Sequence, residues 1–150
     1  MGTSLATALK LGALFKAFLG TAPDAVAAGT RNGTAVDRMT PGGDGFRGGT
    51  LIAATGPETG SPTGRTLDAK IQDSADGSTG WADYIPPGQA TVAAVAQITA
   101  VNTIKEVDVN LEGAKRYIRV VEVVALTAGT SPKIGAQTTL VLYGADRMPV

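Results

Sequence analysis

The sequence predicts an all-β protein, an antiparallel β-sandwich preceded by a helical or extended N-terminal arm. Three observations carry this. Residues Leu67–Asp73 alternate without a slip, with Leu67, Ala69 and Ile71 on one face and Asp68, Lys70 and Gln72 on the other, the period of a half-buried strand. Further runs of this kind recur from Thr34 to Gly144, as short strands of a sandwich do. The junctions between them carry Gly and Pro, at Pro41-Gly42-Gly43, Gly56-Pro57, Gly60-Ser61-Pro62, Asp76-Gly77, Pro86-Pro87-Gly88 and Ser131-Pro132, the residues that tight turns require.

Residues 1–29 differ from the rest and form the expected arm; residues 30–150 form the expected sandwich. Leu11, Leu14, Phe15 and Phe18 fall at i, i+3, i+4 and i+7 in an Ala/Leu-rich stretch, an apolar helical stripe. Gly20 and Pro23 end it. Ala25-Val26-Ala27-Ala28 looks like a leader cleavage site, but Lys16 interrupts the apolar run a leader needs. The stretch is also too short to span a bilayer. An arm packed on its own domain or on a partner is expected.

The expected strands are then Thr34–Met39, Phe46–Thr55, Arg65–Asp73, Ala90–Val101, Ile104–Leu111, Lys115–Thr127 and Lys133–Gly144. Val107, Val109 and Leu111 oppose Glu106, Asp108 and Asn110, and Leu140 and Leu142 oppose Gln137, Thr139 and Val141, so these two strands are one-sided. Tyr117–Leu126 is apolar on both faces and reads as a central strand, covered by the partner sheet and by the arm. Thr55–Gly64 reads as a long loop or hairpin tip.

Composition narrows the function. The chain has 150 residues, 43% hydrophobic and only 17% charged, with 13 basic and 13 acidic side chains. That is one domain with a core, and no net charge directs it to nucleic acid or an anionic membrane. It holds no Cys and no His. Disulfides, Cys- or His-ligated metals and nucleophile–His catalysis are therefore excluded, and an enzyme is not expected. A neutral, charge-poor surface suits a protein packed against neighbours.

The chemistry-bearing motifs are weak. Gly43–Gly48 fits G-x-G-x-x-G but precedes a strand where a nucleotide fold needs a helix. Ser74–Trp81 nearly makes a propeller Asp box, in a single copy and with Gly77 directly after Asp76; a hairpin with Trp81 packing back is the better account. Asp68, Asp73, Asp76 and Asp83 lack calcium-loop spacing, and Glu106, Asp108 and Glu112 read as a wet strand face rather than a glycosidase pair. Asn32-Gly33-Thr34 is a formal sequon that reads as a turn. Lys115, Arg116 and Arg119 are too few for a nucleic-acid patch; the cluster could pair with the acidic strand of a neighbouring subunit, such as Glu106 and Asp108. No cofactor is expected.

Several segments together resemble small structural proteins of tailed phages. These are Val36-Asp37-Arg38, the run Asp68–Ser78 (DAKIQDSADGS), the acidic strand Glu106–Leu111, the strand Ala114–Val121 and the turn Thr130-Ser131-Pro132 leading to Leu142-Tyr143-Gly144. The likeness covers residues 34–150 and is similar to capsid decoration, or cement, proteins. It implies a β-sandwich or jelly-roll module on the outer surface of an icosahedral head, bridging major capsid subunits. The expected protein is a virion component and a homo-oligomer, a trimer before a dimer. Leu11, Leu14, Phe15, Phe18, Asp76, Trp81, Arg116 and Arg119 are the candidate partner contacts. Two alternatives stand beside it: a carbohydrate-binding β-sandwich, for which Trp81 and Tyr84 are the nearest thing to an aromatic platform, and a neck or tail structural protein.

Overall fold

The computed structural model describes residues 15–39 and 45–145. Nine strands run through them: β1 (Lys16–Val26), β2 (Gly29–Asn32), β3 (Val36–Asp37), β4 (Phe46–Thr59), β5 (Gly64–Ser74), β6 (Ala82–Asp83), β7 (Ile104–Asn110), β8 (Tyr117–Thr127) and β9 (Lys133–Ala145). No helix occurs among the described residues.

The strands form two antiparallel sheets, ordered β1-β9-β4-β7 and β2-β8-β5-β6, with β3 added on β8. The pairs β1/β9, β2/β8, β4/β7 and β5/β6 are nested, as though one long hairpin had been rolled up. That is the strand order of a jelly roll. Inward residues alternate along each strand. Leu67, Ala69 and Ile71 of β5 and Ile118, Val120 and Val124 of β8 meet Leu51 and Ala53 of β4 and Ile134, Leu140 and Leu142 of β9 across the core, all nearly or fully buried. β8 is central in its sheet, with β2 and β3 on one edge and β5 on the other; the expected cover of its outer face by the arm is not seen in β1, which lies in the opposite sheet.

Four expectations are corrected. No helix is found where the expected stripe enters the described residues: from Lys16 the chain is strand β1, paired with β9 from Lys16↔Leu142 to Val26↔Ile134. Leu11 and Leu14 lie outside the described residues. A helical period and an edge strand both fit an Ala/Leu-rich run, and the open edge of β9 decides for the strand. Second, Gly56-Pro57 is not a turn but an irregularity inside β4, where the register to β9 shifts between Thr55 and Glu58. Third, Thr55–Gly64 is not a free loop: β4 continues to Thr59, and residues 60–63 cross to the other sheet. Gly60 makes that crossing with φ of 76°, its carbonyl accepting from the Thr130 amide at 2.9 Å.

Fourth, Ala90–Val101 is not a regular strand. It follows the edge of β5 through Ala93 O from Ile71 N (2.9 Å), Val95 N to Ala69 O (3.0 Å) and a reciprocal pair between Leu67 and Ile98 (2.8 and 3.0 Å). Three residues separate Val95 from Ile98 where two separate Ala69 from Leu67. That extra residue breaks the ladder.

Candidate interaction surface

The outward side chains of the β1-β9-β4-β7 sheet follow from its register. One cross-strand row is Ala17, Val141, Thr50 and Asp108; the next is Leu19, Thr139, Ile52 and Glu106; a third is Gln137, Ala54 and Ile104. Beyond the first row, Phe15 stands edge-on to Tyr143, ring centroids 6.2 Å apart. On these rows charge is confined to Glu106 and Asp108 of β7. Phe15, Leu19 and Ile104 are 44%, 54% and 70% exposed, large apolar side chains that a folded chain gains nothing by showing to water.

The face carries a concavity. Irregularities in β1, between Thr21 and Asp24, and in β4, between Thr55 and Glu58, flank β9. They leave a groove of about 410 Å3 lined by Pro23, Ala25, Ala54, Pro57 and Gly135.

The outer face of the β2-β8-β5-β6 sheet is the opposite in character. Arg119 donates to Gln72 Oε1 from Nη2 at 2.8 Å and lies over the Trp81 ring, 4.4 Å from its centroid. Lys70 Nζ sits 2.7 Å from Asp83 Oδ2, and Gln72 Nε2 donates to Asp83 Oδ1 at 2.9 Å. Arg116 meets Asp37 at 2.8 Å. Asp68 accepts from Gln97 at 3.0 Å. Every one of these charges already has a partner on its own chain.

Electrostatics follow that pairing. The Arg116 guanidinium holds the Asp37 carboxyl below its ordinary range, and Asp37 in turn raises Arg116. The Lys70 ammonium, then the Gln72 amide, lower Asp83. At the tip of the β5–β6 hairpin, the Thr79 hydroxyl and the Thr79 and Ser78 amides all donate to Asp76 and push it well below the usual carboxylate range. Gly77 there has φ of 77°, and a Cβ on it would lie 2.9 Å from the Tyr117 ring. Asp76 thus closes its own turn and pins the hairpin tip.

The candidate contacts therefore do not converge. Phe15 is on the apolar face. Phe18 points the other way and, partly buried, packs against the core. Arg116, Arg119, Trp81 and Asp76 sit at the opposite sheet, engaged within the chain. Arg119 in particular is held by Gln72 and Trp81. Leu19, Ile52, Ile104, Val141 and Tyr143 were not anticipated as contacts. Val141 carried the signal, standing with Gln137 and Thr139 against Leu140 and Leu142, whereas Leu19 was hidden in the helical reading.

Asp68, Asp73, Asp76 and Asp83 bond to Gln97, Lys115, Thr79 and Lys70 respectively, and no group of three potential ligands forms among the described residues. The chain matches no protein-family model and no curated protein.

Proposed function

We propose that this chain is a virion structural protein, a decoration or cement subunit that binds the outside of an icosahedral phage capsid and stabilises contacts between major capsid subunits. The observation that carries the reading is the contrast between the two outer faces. One sheet has its charges paired internally, and the other offers Phe15, Leu19, Ile52, Val141 and Ile104 with almost no charge. Burying the apolar part of such a face releases about 25 cal/mol per Å2, with ions to desolvate only at the β7 border, at Glu106 and Asp108.

The resemblance of Asp68–Ser78 and the neighbouring segments supports the same reading. So does the jelly-roll order, one that viral capsid domains use, although fold alone does not assign function. No bond-making chemistry is required. Binding the mature lattice and not its precursor stabilises that lattice by mass action, multiplied by avidity over many copies. Homo-oligomerisation, a trimer before a dimer, would supply the avidity.

Jelly rolls also serve as lectins, but one face of the Trp81 ring that a sugar would stack on is taken by Arg119. The test is copy number and state preference. Purified protein added to expanded and unexpanded capsids of the parent phage should bind the expanded form, occupy icosahedral positions between capsid subunits and raise the temperature at which the shell opens. Six or twelve copies at one vertex would instead indicate a neck or tail component. Glycan binding without capsid binding would replace the reading altogether.

A further inference from the structure

We infer that the open edge of β7 is a strand-acceptor site for an extended, cation-bearing segment of another polypeptide. The first support is backbone parity. Leu111 N donates to Arg47 O at 2.8 Å and Thr55 N to Thr103 O at 2.9 Å, at the two ends of the β7–β4 ladder. Alternate residues of an antiparallel strand turn their amides and carbonyls to the same side. Odd-numbered residues of β7 therefore face β4, and the N–H and C=O groups of Ile104, Glu106 and Asp108 face away from it. Among the described residues no backbone group pairs with them there. At the far end the parity is visible directly, since the Tyr84 hydroxyl donates to Asn110 O at 2.7 Å.

The second support is the space beside that edge. A groove of about 300 Å3 is lined by Val107–Asn110, by Thr91–Ala94 and by Pro86 and Pro87, with no β4 residue in its lining. Two hydrogen bonds link β7 to the segment across the groove. Tyr84 closes one end through Asn110, and Lys105 Nζ reaches Gln97 O at 3.1 Å at the other. A pre-formed slot beside unpaired ladder groups is what β-augmentation uses.

The third support is charge, which selects the occupant. Glu106 has no cationic partner among the described residues, and Asp108 has only the Thr50 hydroxyl, at 2.7 Å. A second copy adding its own β7 would set these carboxylates against each other, which is destabilising. A second copy adding β1 would place Phe15, Ala17 and Leu19 beside them, none of them a cation. A foreign strand with Lys or Arg at alternate positions answers both carboxylates. Its intervening small apolar residues would face Val107 and Val92. The acidic pair thus blocks self-pairing, as charged edge strands commonly do, while remaining permissive to a basic one. This site is the backbone edge of β7, at the border of the apolar face, and does not depend on the capsid reading.

The test uses the full chain, 15N-labelled, with the blocked peptide Lys-Val-Lys-Val-Lys-Val as probe. At peptide about ten times above its dissociation constant, amide exchange at Ile104, Glu106 and Asp108 should slow by about tenfold. Glu106→Lys combined with Asp108→Lys should abolish this while leaving the native spectrum elsewhere intact. Arg116→Glu, on the other sheet, should change nothing. The same peptide N-methylated at alternate amides keeps its charge but cannot form the ladder, and should not protect these amides. Equal binding of the methylated peptide, unchanged exchange at Glu106 and Asp108, or peptide-independent dimerisation through β7 would each overturn the inference.

Discussion

The Glu122 carboxylate lies wholly inside the sandwich and is held by Arg31, with Oε1 2.7 Å from Nε and Oε2 3.0 Å from Nη2. Arg31 comes from β2 and Glu122 from its partner β8. The Thr21 hydroxyl of β1 donates to Glu122 Oε2 at 2.7 Å, and Arg31 also reaches the carbonyls of Ala22 at 2.8 Å and Ala136 at 3.1 Å. One ionic cluster therefore joins β1, β2, β8 and β9, stitching the two sheets together where the N-terminal strand enters. A buried pair adds little over an apolar one, but breaking it leaves a charge without a partner. Arg31→Met should cost about 3–5 kcal/mol in urea unfolding, whereas Arg31→Met with Glu122→Leu should recover most of that loss. Equal losses in the single and double variants would mean that the pair is not coupled.

Two glycines beside this cluster mark a close approach. A Cβ on Gly33 would lie 2.2 Å from Gly20 O and 2.9 Å from Val120 O, both backbone atoms that cannot swing aside. Gly33 N also donates to Val120 O at 2.7 Å. Gly33→Ala should therefore destabilise by about 2–4 kcal/mol through forced backbone displacement. Gly56→Ala is the matched control, because its Cβ meets Gly135 Cα at 3.5 Å, ordinary contact. Comparable midpoints for the two variants would show that β1 and β2 can separate without penalty.

Alternation made the core strands readable, since Leu67, Ala69 and Ile71 or Leu140 and Leu142 leave no second interpretation. β2 escaped notice because Gly29–Asn32 is too short to show a period. Lys16–Val26 failed for a different reason: its residues suit either state, and only the long-range pairing with β9 selects the strand. The same limit applies to the surface. Arg116, Arg119, Asp76 and Trp81 look available in a linear chain, yet each is satisfied by a residue that folding brings near, such as Asp37 or Gln72. The apolar face is assembled from four strands spread from Ala17 to Tyr143, so no local window contains it.

Acid sensitivity follows from the lowered carboxylates. Asp37 is lowered by Arg116, Asp83 by Lys70 and Asp76 by the Thr79 hydroxyl and neighbouring amides. Below their ordinary range, the unfolded chain binds more protons than the folded one, so stability falls as pH falls. Unfolding midpoints should be level between about pH 7 and pH 5 and decline below about pH 4. Asp76→Asn should lessen the decline. Tyr84, raised by burial, acts in the other direction: its contribution is complete below about pH 10 and is lost as pH rises through its folded value. A midpoint that rises on acidification would contradict this assignment.

The two outer faces make opposite demands of a substitution. Leu19 and Ile104 are more than half exposed and lie on the apolar sheet, so Leu19→Lys and Ile104→Lys should shift stability by no more than about 0.5 kcal/mol. If that face is the one buried on a capsid, each should still weaken association at least tenfold, since an unpaired ammonium would have to be desolvated. Arg119→Glu breaks the contacts to Gln72 and Trp81 and sets a carboxylate beside the Asp83 cluster. It should lower stability modestly and leave association unchanged. Capsid sedimentation with each variant, beside its urea midpoint, separates the two effects. Loss of binding with Arg119→Glu and none with Leu19→Lys would move the docking surface to the charged sheet.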